Sequence, residues 1–308
     1  HGPPLVGKET IHEEVTKYRD SIQFLWDQSV RGINQGLSSV ELSNFVQLPS
    51  QFKNSYLTSQ LYGVAEHHVR QIYSGLRGWF DGNEANLFPV EPVRRVEKLI
   101  EGFGGIERVR DHAKNAIESD DLRWGIELCS WLVSSNPGIR YNKSFVPSDD
   151  QLLLAECLRK VAQRTTSANV RNWCLTRALE REGTIDLSRH RIHRFSEHVI
   201  LNNAPSSSVH ALKVLLIPEL AEGQDIEICW EFTNGERTGL HIRNQVAVPT
   251  YGENPEISIG LTHETWAKIL AGRISVSEAV KSGLLSSNSE TSKVLAFFAM
   301  FDHLSLNQ

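Results

Sequence analysis

Tyr62-Gly63-Val64-Ala65-Glu66-His67-His68-Val69-Arg70, running on to Gly78-Trp79-Phe80-Asp81-Gly82-Asn83, is the stretch on which the reading of this 308-residue chain turns. Ile72, Leu76, Trp79 and Phe80 fall toward one side, which predicts a helix over 64–80. Asp81-Gly82-Asn83 is turn chemistry and stops it. His67, Arg70 and Tyr73 follow one another at intervals of three, a spacing that lets them share a face. They are candidates for a ligand-facing group. The plainer alternative for His67 is a packing histidine bonded to a neighbouring carboxylate.

Working upstream, Ile11, Val15, Tyr18, Ile22, Leu25, Ser29 and Ile33 recur in steps of four and three, the mark of one long amphipathic helix. Gly36 is its stop, and Ser38 to Glu41 has capping-box spacing for a short helix through Val46. Downstream come amphipathic segments at 91–103, 106–119, 122–133, 151–165 and 169–182. The breaks between them at Gly104-Gly105, Asp120-Asp121, Asn136-Pro137-Gly138 and 166–168 are short, so neighbouring helices are antiparallel hairpins.

Near Thr184 the character changes. Residues 183–194 are polar and basic, a linker. His190, His193 and His198 lie in or beside it, but Arg189, Arg191 and Arg194 would repel a cation there. Beyond, 209–220 reads as a helix, and 225–233, 237–244, 246–250 and 256–261 as strands, with Asn234-Gly235 as a hairpin turn. Thr262 caps a helix with Trp266, Ile269 and Leu270; 276–282 and 289–303 are two more. The chain is thus all-α over 11–183 and α+β over 184–308.

With 40% hydrophobic and 22% charged residues the composition is globular. A net charge of −5 argues against nucleic acid, and no apolar run of about 18 residues is present to span a bilayer. The chain begins at His1 and its single methionine is Met300, which suits a piece of a longer protein. Cys129, Cys157, Cys174 and Cys229 are dispersed and read as small buried hydrophobes, leaning toward a reducing, cytoplasmic compartment.

The stretch quoted first resembles the signature of the alkyl sulfatase dimerisation domain: Tyr-Gly, a following His, then Gly-Trp-Phe/Tyr-Asp-Gly-Asn. Tyr18-Arg19-Asp20, residues 27–37 (Asp-Gln-Ser-Val-Arg-Gly-Ile-Asn-Gln-Gly-Leu) and Leu122-Arg123-Trp124 are similar to three more of its motifs, in order. Leu76 and Arg77 depart from it, standing where an aromatic and an aliphatic residue are usual. Trp230-Glu231-Phe232-Thr233-Asn234-Gly235-Glu236 and residues 272–283, Gly-Arg-Ile-Ser-Val-Ser-Glu-Ala-Val-Lys-Ser-Gly, resemble elements of the family's C-terminal, sterol-carrier-protein-like domain.

The resemblance implies the C-terminal two-thirds of a metallo-β-lactamase-type alkyl sulfatase. Residues 1–10 would be the end of the missing core, 11–183 the helical dimerisation domain, and 184–308 the sterol-carrier-like domain. The intact enzyme would hold two zinc ions and hydrolyse alkyl sulfate esters. The zinc motif His-x-His-x-Asp-His does not occur here, so this chain alone is expected to hold no metal and to be inactive. His1, in the register His1-Gly2-Pro3-Pro4-Leu5-Val6-Gly7, would be the last zinc ligand of the whole protein. The resemblance also places His67, Arg70 and Tyr73 at the substrate mouth and implies a homodimer through the helical domain. Trp230, Phe232, Trp266, Phe297, Phe298 and Phe301 are candidates to line an alkyl-chain pocket for an alkyl sulfate or another amphiphile. Two alternatives stay open: a lipid- or alkyl-binding module, and a helical interaction scaffold without catalysis of its own.

Overall fold

The computed structural model describes residues 4–53, 55–134, 146–187 and 195–307, which fall into two compact units, 1–188 and 189–308. The calls on His1, His190 and His193 lie outside the described residues.

The first unit opens with α1 (Lys8–Asn34), and its apolar stripe divides. Toward the C-terminal end Phe24, Leu25 and Ile33 pack against Leu42, Val46, Val69 and Tyr73. Toward the N-terminal end Ile11, Val15, Tyr18, Ile22 and Trp26 stay 42–53% exposed. Gly32 sits where α1 meets α2 (Ser39–Phe45), and any side chain there would run into the Leu42 methyl group. Ser38 and Glu41 form the reciprocal capping box their spacing predicted.

Helix α3 spans Ala65–Arg77, and ends three residues earlier than expected. Gly78 takes φ +83°, a left-handed conformation that ends the helix before Trp79 and Phe80 can join it. Helices α4 (Pro92–Phe103), α5 (Ile106–Glu118), α6 (Leu122–Ser134), α7 (Asp149–Arg164) and α8 (Ala168–Arg181) follow, with α5, α6, α7 and α8 each packed on the next. Their shared core includes Val109, Leu128, Leu132, Leu154 and Leu158. Cys129, Cys157 and Cys174 are buried in it, and burial pushes the first two thiols up to about 12 and about 11, so they act as small apolar side chains.

The second unit is a five-stranded mixed sheet in the order β3-β2-β1-β4-β5, with helices packed on it. Strands β1 (Ile226–Phe232), β2 (Arg237–Arg243), β3 (Val246–Thr250) and β4 (Ile257–Leu261) match the expected segments; β5 (Leu285–Ser287) was not anticipated. β1 pairs antiparallel with β2 and parallel with β4. Its alternate residues Ile228, Trp230 and Phe232 enter the core.

Two of the expected helices are shorter than their spacing suggests. The helix foreseen over 209–220 is α10 (Pro205–Ala211) continued by two short 3₁₀ turns, 212–214 and 218–221. Between those turns Leu216 bridges to Phe301, an extended pairing that a continuous helix cannot make. The same bridge cuts the last helix back to α13 (Thr291–Phe298). The hairpin expected at Asn234-Gly235 joins β1 to β2, with Gly235 left-handed, and a second at Asn244-Gln245, both at positive φ, joins β2 to β3. Short helices α9 (Glu197–Leu201), α11 (His263–Leu270) and α12 (Val276–Lys281) complete the unit.

Leu128, fully buried on α6, should cost about 2–5 kcal/mol when replaced by alanine. The same change at Leu152, which is 43% exposed on α7, should stay within about 0.5 kcal/mol. Urea unfolding followed by circular dichroism compares them.

Candidate functional site

Helix α3 begins without help from its own cap residue, since Val64 has no side-chain acceptor. Gln60 replaces it: its side-chain oxygen accepts the Ala65 N–H at 2.6 Å. The segment before the helix is latched from more than 100 residues away. The Thr166 hydroxyl donates to the Gln60 carbonyl at 3.1 Å, the Ala168 N–H to the Leu61 carbonyl at 2.6 Å, and the Ser167 hydroxyl to the Tyr62 carbonyl. At Gly63 the His68 ring occupies the space a β-carbon would take, so a side chain there would displace that ring. Arg123 closes the arrangement with a two-pronged bond to Glu66, at 3.0 and 2.6 Å. That hydrogen-bonded guanidinium holds the Glu66 carboxyl below its usual range, and the charges of His67 and Arg70 pull the same way.

At the far end of α3 the Ser39 N–H donates to the Asp81 carbonyl at 2.8 Å, tying the turn to the start of α2. Asp81 accepts from the Asn83 N–H at 3.0 Å and the Asn86 amide at 2.6 Å. Those bonds, with the charge of Arg70, keep its carboxyl low. Gly82, at φ +85°, lies where an added β-carbon would come within 2.8 Å of the Tyr73 hydroxyl.

The three residues proposed for the mouth are therefore brought together. His67, Arg70 and Tyr73 line one concavity of about 310 Å³ with Gln71, Trp79 and Asp81. His67 and Arg70 are exposed, whereas the Tyr73 ring is buried and meets the concavity from its floor. Trp79 is 77% exposed at the edge. A cation, an imidazole and a phenol around a hollow of this size can hold a small anion. Gln60, Arg123 and the 166–168 turn were not singled out from sequence. Arg123 lay inside a recognised motif, but nothing in its spacing pointed to Glu66.

The six aromatic candidates of the second unit also gather, as a packed cluster. Trp230, Trp266, Phe297, Phe298 and Phe301 are at most 1% exposed, and Phe232 is 4% exposed. Trp230 meets Trp266, Phe297 and Phe298 with ring centroids 5.6–6.2 Å apart, and Phe297 meets Phe301 at 5.4 Å. The Trp266 indole donates to Ser208 at 3.0 Å, while the buried Trp230 indole N–H has no partner. His198 contacts Asn202.

Among the described residues no group of three or more His, Cys, Asp or Glu side chains is disposed to hold a metal ion. Nor is any described helix long and apolar enough to cross a membrane.

Residues 38–183 match the model of the alkyl sulfatase dimerisation domain, and residues 196–307 that of the alkyl sulfatase C-terminal domain. The chain belongs to the alkyl sulfatase family. A linear primary-alkylsulfatase from a Pseudomonas species is 31% identical over 275 residues, covering 85% of this chain and 50% of that protein. The alkyl/aryl-sulfatase BDS1 of Saccharomyces cerevisiae is 27% identical over 98% of this chain and 46% of its own length. The structure of the stereoselective inverting sec-alkylsulfatase Pisa1 from Pseudomonas sp. superposes with a TM-score of 0.79 at 26% identity, over 99% of this chain and 47% of that one. The chain spans about half the length of the curated relatives it matches, less than the two-thirds expected.

Replacing Glu66 by Gln should destabilise the helical unit by about 0.5–1 kcal/mol at neutral pH, since the pair is partly solvated. Glu66 has a lowered folded pKa, so its contribution is present above the ordinary carboxylate pKa and fades as pH falls through the lowered value. Parent and E66Q unfolding curves measured across the acid range should therefore converge at low pH.

Proposed function

We propose that this chain is the helical and C-terminal portion of an enzyme that hydrolyses sulfate esters of alkyl alcohols. The observation that carries the reading is the convergence of His67, Arg70 and Tyr73 on one anion-sized concavity within an alkyl sulfatase dimerisation domain. In this reading Arg70 and His67 face the sulfate, and Tyr73, held by the Gly82 turn, forms the floor beneath it. Two zinc ions belong to the intact enzyme and are held by residues other than the described ones, with His1 as one ligand.

The helical unit would also pair two copies of the chain. The exposed stripe of Ile11, Val15, Tyr18, Ile22 and Trp26 on α1 supports this, because an apolar face of that length is costly in water. The name of the matched dimerisation domain points the same way.

Two measurements test the reading. The purified 308-residue chain supplied with zinc should release no sulfate from dodecyl sulfate above a metal-free blank. A longer protein that carries the chain should turn it over, and His67→Ala or Arg70→Ala should slow it by roughly tenfold or more. Full turnover by either variant would remove those residues from the mouth. Ile22→Asp should shift the chain from dimer to monomer in light scattering at tens of micromolar, with its circular dichroism unchanged; a dimer that survives would place the interface elsewhere.

A further inference from the structure

His67 lines two hollows, and the larger is not the one shared with Arg70 and Tyr73. The second concavity, about 760 Å³, has no other residue in common with the first. Its lining is mixed: Val46, Leu48, Phe52, Leu61, Val161 and Val170 supply the apolar part, and Asn44, Gln47, Lys53, Ser59 and Thr165 stand among them. The volume lies within the range of pockets that enclose small organic ligands, roughly 300–1,000 Å³.

Polar groups around it are largely engaged elsewhere. Glu66 and Arg123 neutralise each other, Thr58 donates to the Phe52 and Ser55 carbonyls, Thr166 donates to Gln60, and the Gln60 oxygen caps α3. The Thr58, Thr166 and Gln60 bonds also fix the irregular 52–61 stretch, to itself, to the 166–168 turn and to the start of α3. More of the surface that faces the space is apolar than polar, with Lys53 as a cation in the lining. The aromatic cluster of the second unit, by contrast, spends its surface on mutual ring contacts.

We infer that the 760 Å³ cavity receives the alkyl chain of an anionic single-chain amphiphile whose head group lies in the adjoining hollow, with His67 at the junction. The assignment of the head rests on the reading given under Proposed function; the tail site rests on the shape and lining of the cavity. It moves tail recognition from the C-terminal unit to the helical one.

Titration of the 308-residue chain with hexane-, octane- and decane-1-sulfonate, below their micelle limits, reads this directly by calorimetry. Affinity should rise about two- to fourfold per added methylene, the expectation for progressive burial of hydrocarbon. Val170→Trp and Leu61→Trp, each of which adds bulk to the lining, should flatten that dependence. Should either variant fold poorly, a decyl sulfonate carrying a terminal diazirine answers the same question on the parent chain. Photolabelling of residues 46–66 and 161–170 is the expected result, and labelling confined to 226–301 would overturn the proposal. So would a chain-length dependence that both tryptophan variants leave intact. The two readings fail separately. Length-dependent sulfonate binding that V170W abolishes keeps the tail site, even if no longer protein carrying the chain hydrolyses sulfate esters. Turnover with an alkyl-length preference that V170W does not alter keeps the enzyme and discards the tail site.

Discussion

The hydrogen bonds from the 166–168 turn to the carbonyls of Gln60, Leu61 and Tyr62 are the constraint on which the helical unit's site depends. An irregular segment has no ladder of its own, so its carbonyls need partners, and here one turn between α7 and α8 supplies three in a row. Fixing those carbonyls fixes where Gln60 reaches to cap α3, and so the start of that helix. From the start of α3 follow the places of Glu66, His67 and Arg70. The Arg123 clamp then ties the same turn of helix to α6. Two family motifs far apart in sequence, the Tyr62 to Asn83 stretch and Leu122-Arg123-Trp124, are thus two halves of one ion pair. Their joint presence has a mechanical reason.

The far end of α3 is set by a different device. Gly78 ends the helix, the Asp81 carbonyl takes the first N–H of α2, and Gly82 leaves room for the Tyr73 hydroxyl. A side chain at Gly82 would be strained by its φ and would press on the phenol as well. Both ends of the helix that carries the candidate residues are therefore held by backbone hydrogen bonds to other elements. This suits a site that must keep an imidazole, a guanidinium and a phenol around one small volume.

Much of this architecture was legible in the sequence, for reasons that can be named. Ser38 with Glu41 and Ser275 with Glu278 are capping boxes, so a four-residue pattern is enough to place a helix start. The family element around Ser275 contains one of them. The four longer strands showed themselves through alternation, as with Ile228, Trp230 and Phe232. Long-range bonds were not legible: Leu216 to Phe301, Thr166 to Gln60 and Arg123 to Glu66 join positions that no local pattern relates. The bridge from Leu216 is the clearest case, since it overrides helical spacing on both of the segments it joins. Spacing placed His67, Arg70 and Tyr73 on one helix, but it could not tell that Tyr73 turns inward while the other two face solvent.

Periodicity reports that a side chain wants to leave water, and it is silent on what the side chain meets afterwards. The stripe on α1 and the aromatics of the second unit have equally regular spacing and opposite fates. Ile11, Val15, Tyr18, Ile22 and Trp26 stay about half exposed among the described residues, whereas Trp230, Trp266, Phe297, Phe298 and Phe301 are buried in one cluster. An apolar wall that encloses space arises in neither way. It needs elements fixed by bonds other than apolar contact, as the carbonyl latch and the Thr58 bonds fix the irregular segment that carries Phe52 and Leu61. Aromatic density in a sequence is thus a poor guide to a ligand cavity. A better one is an irregular, polar-braced segment such as 46–64 laid across the ends of regular helices.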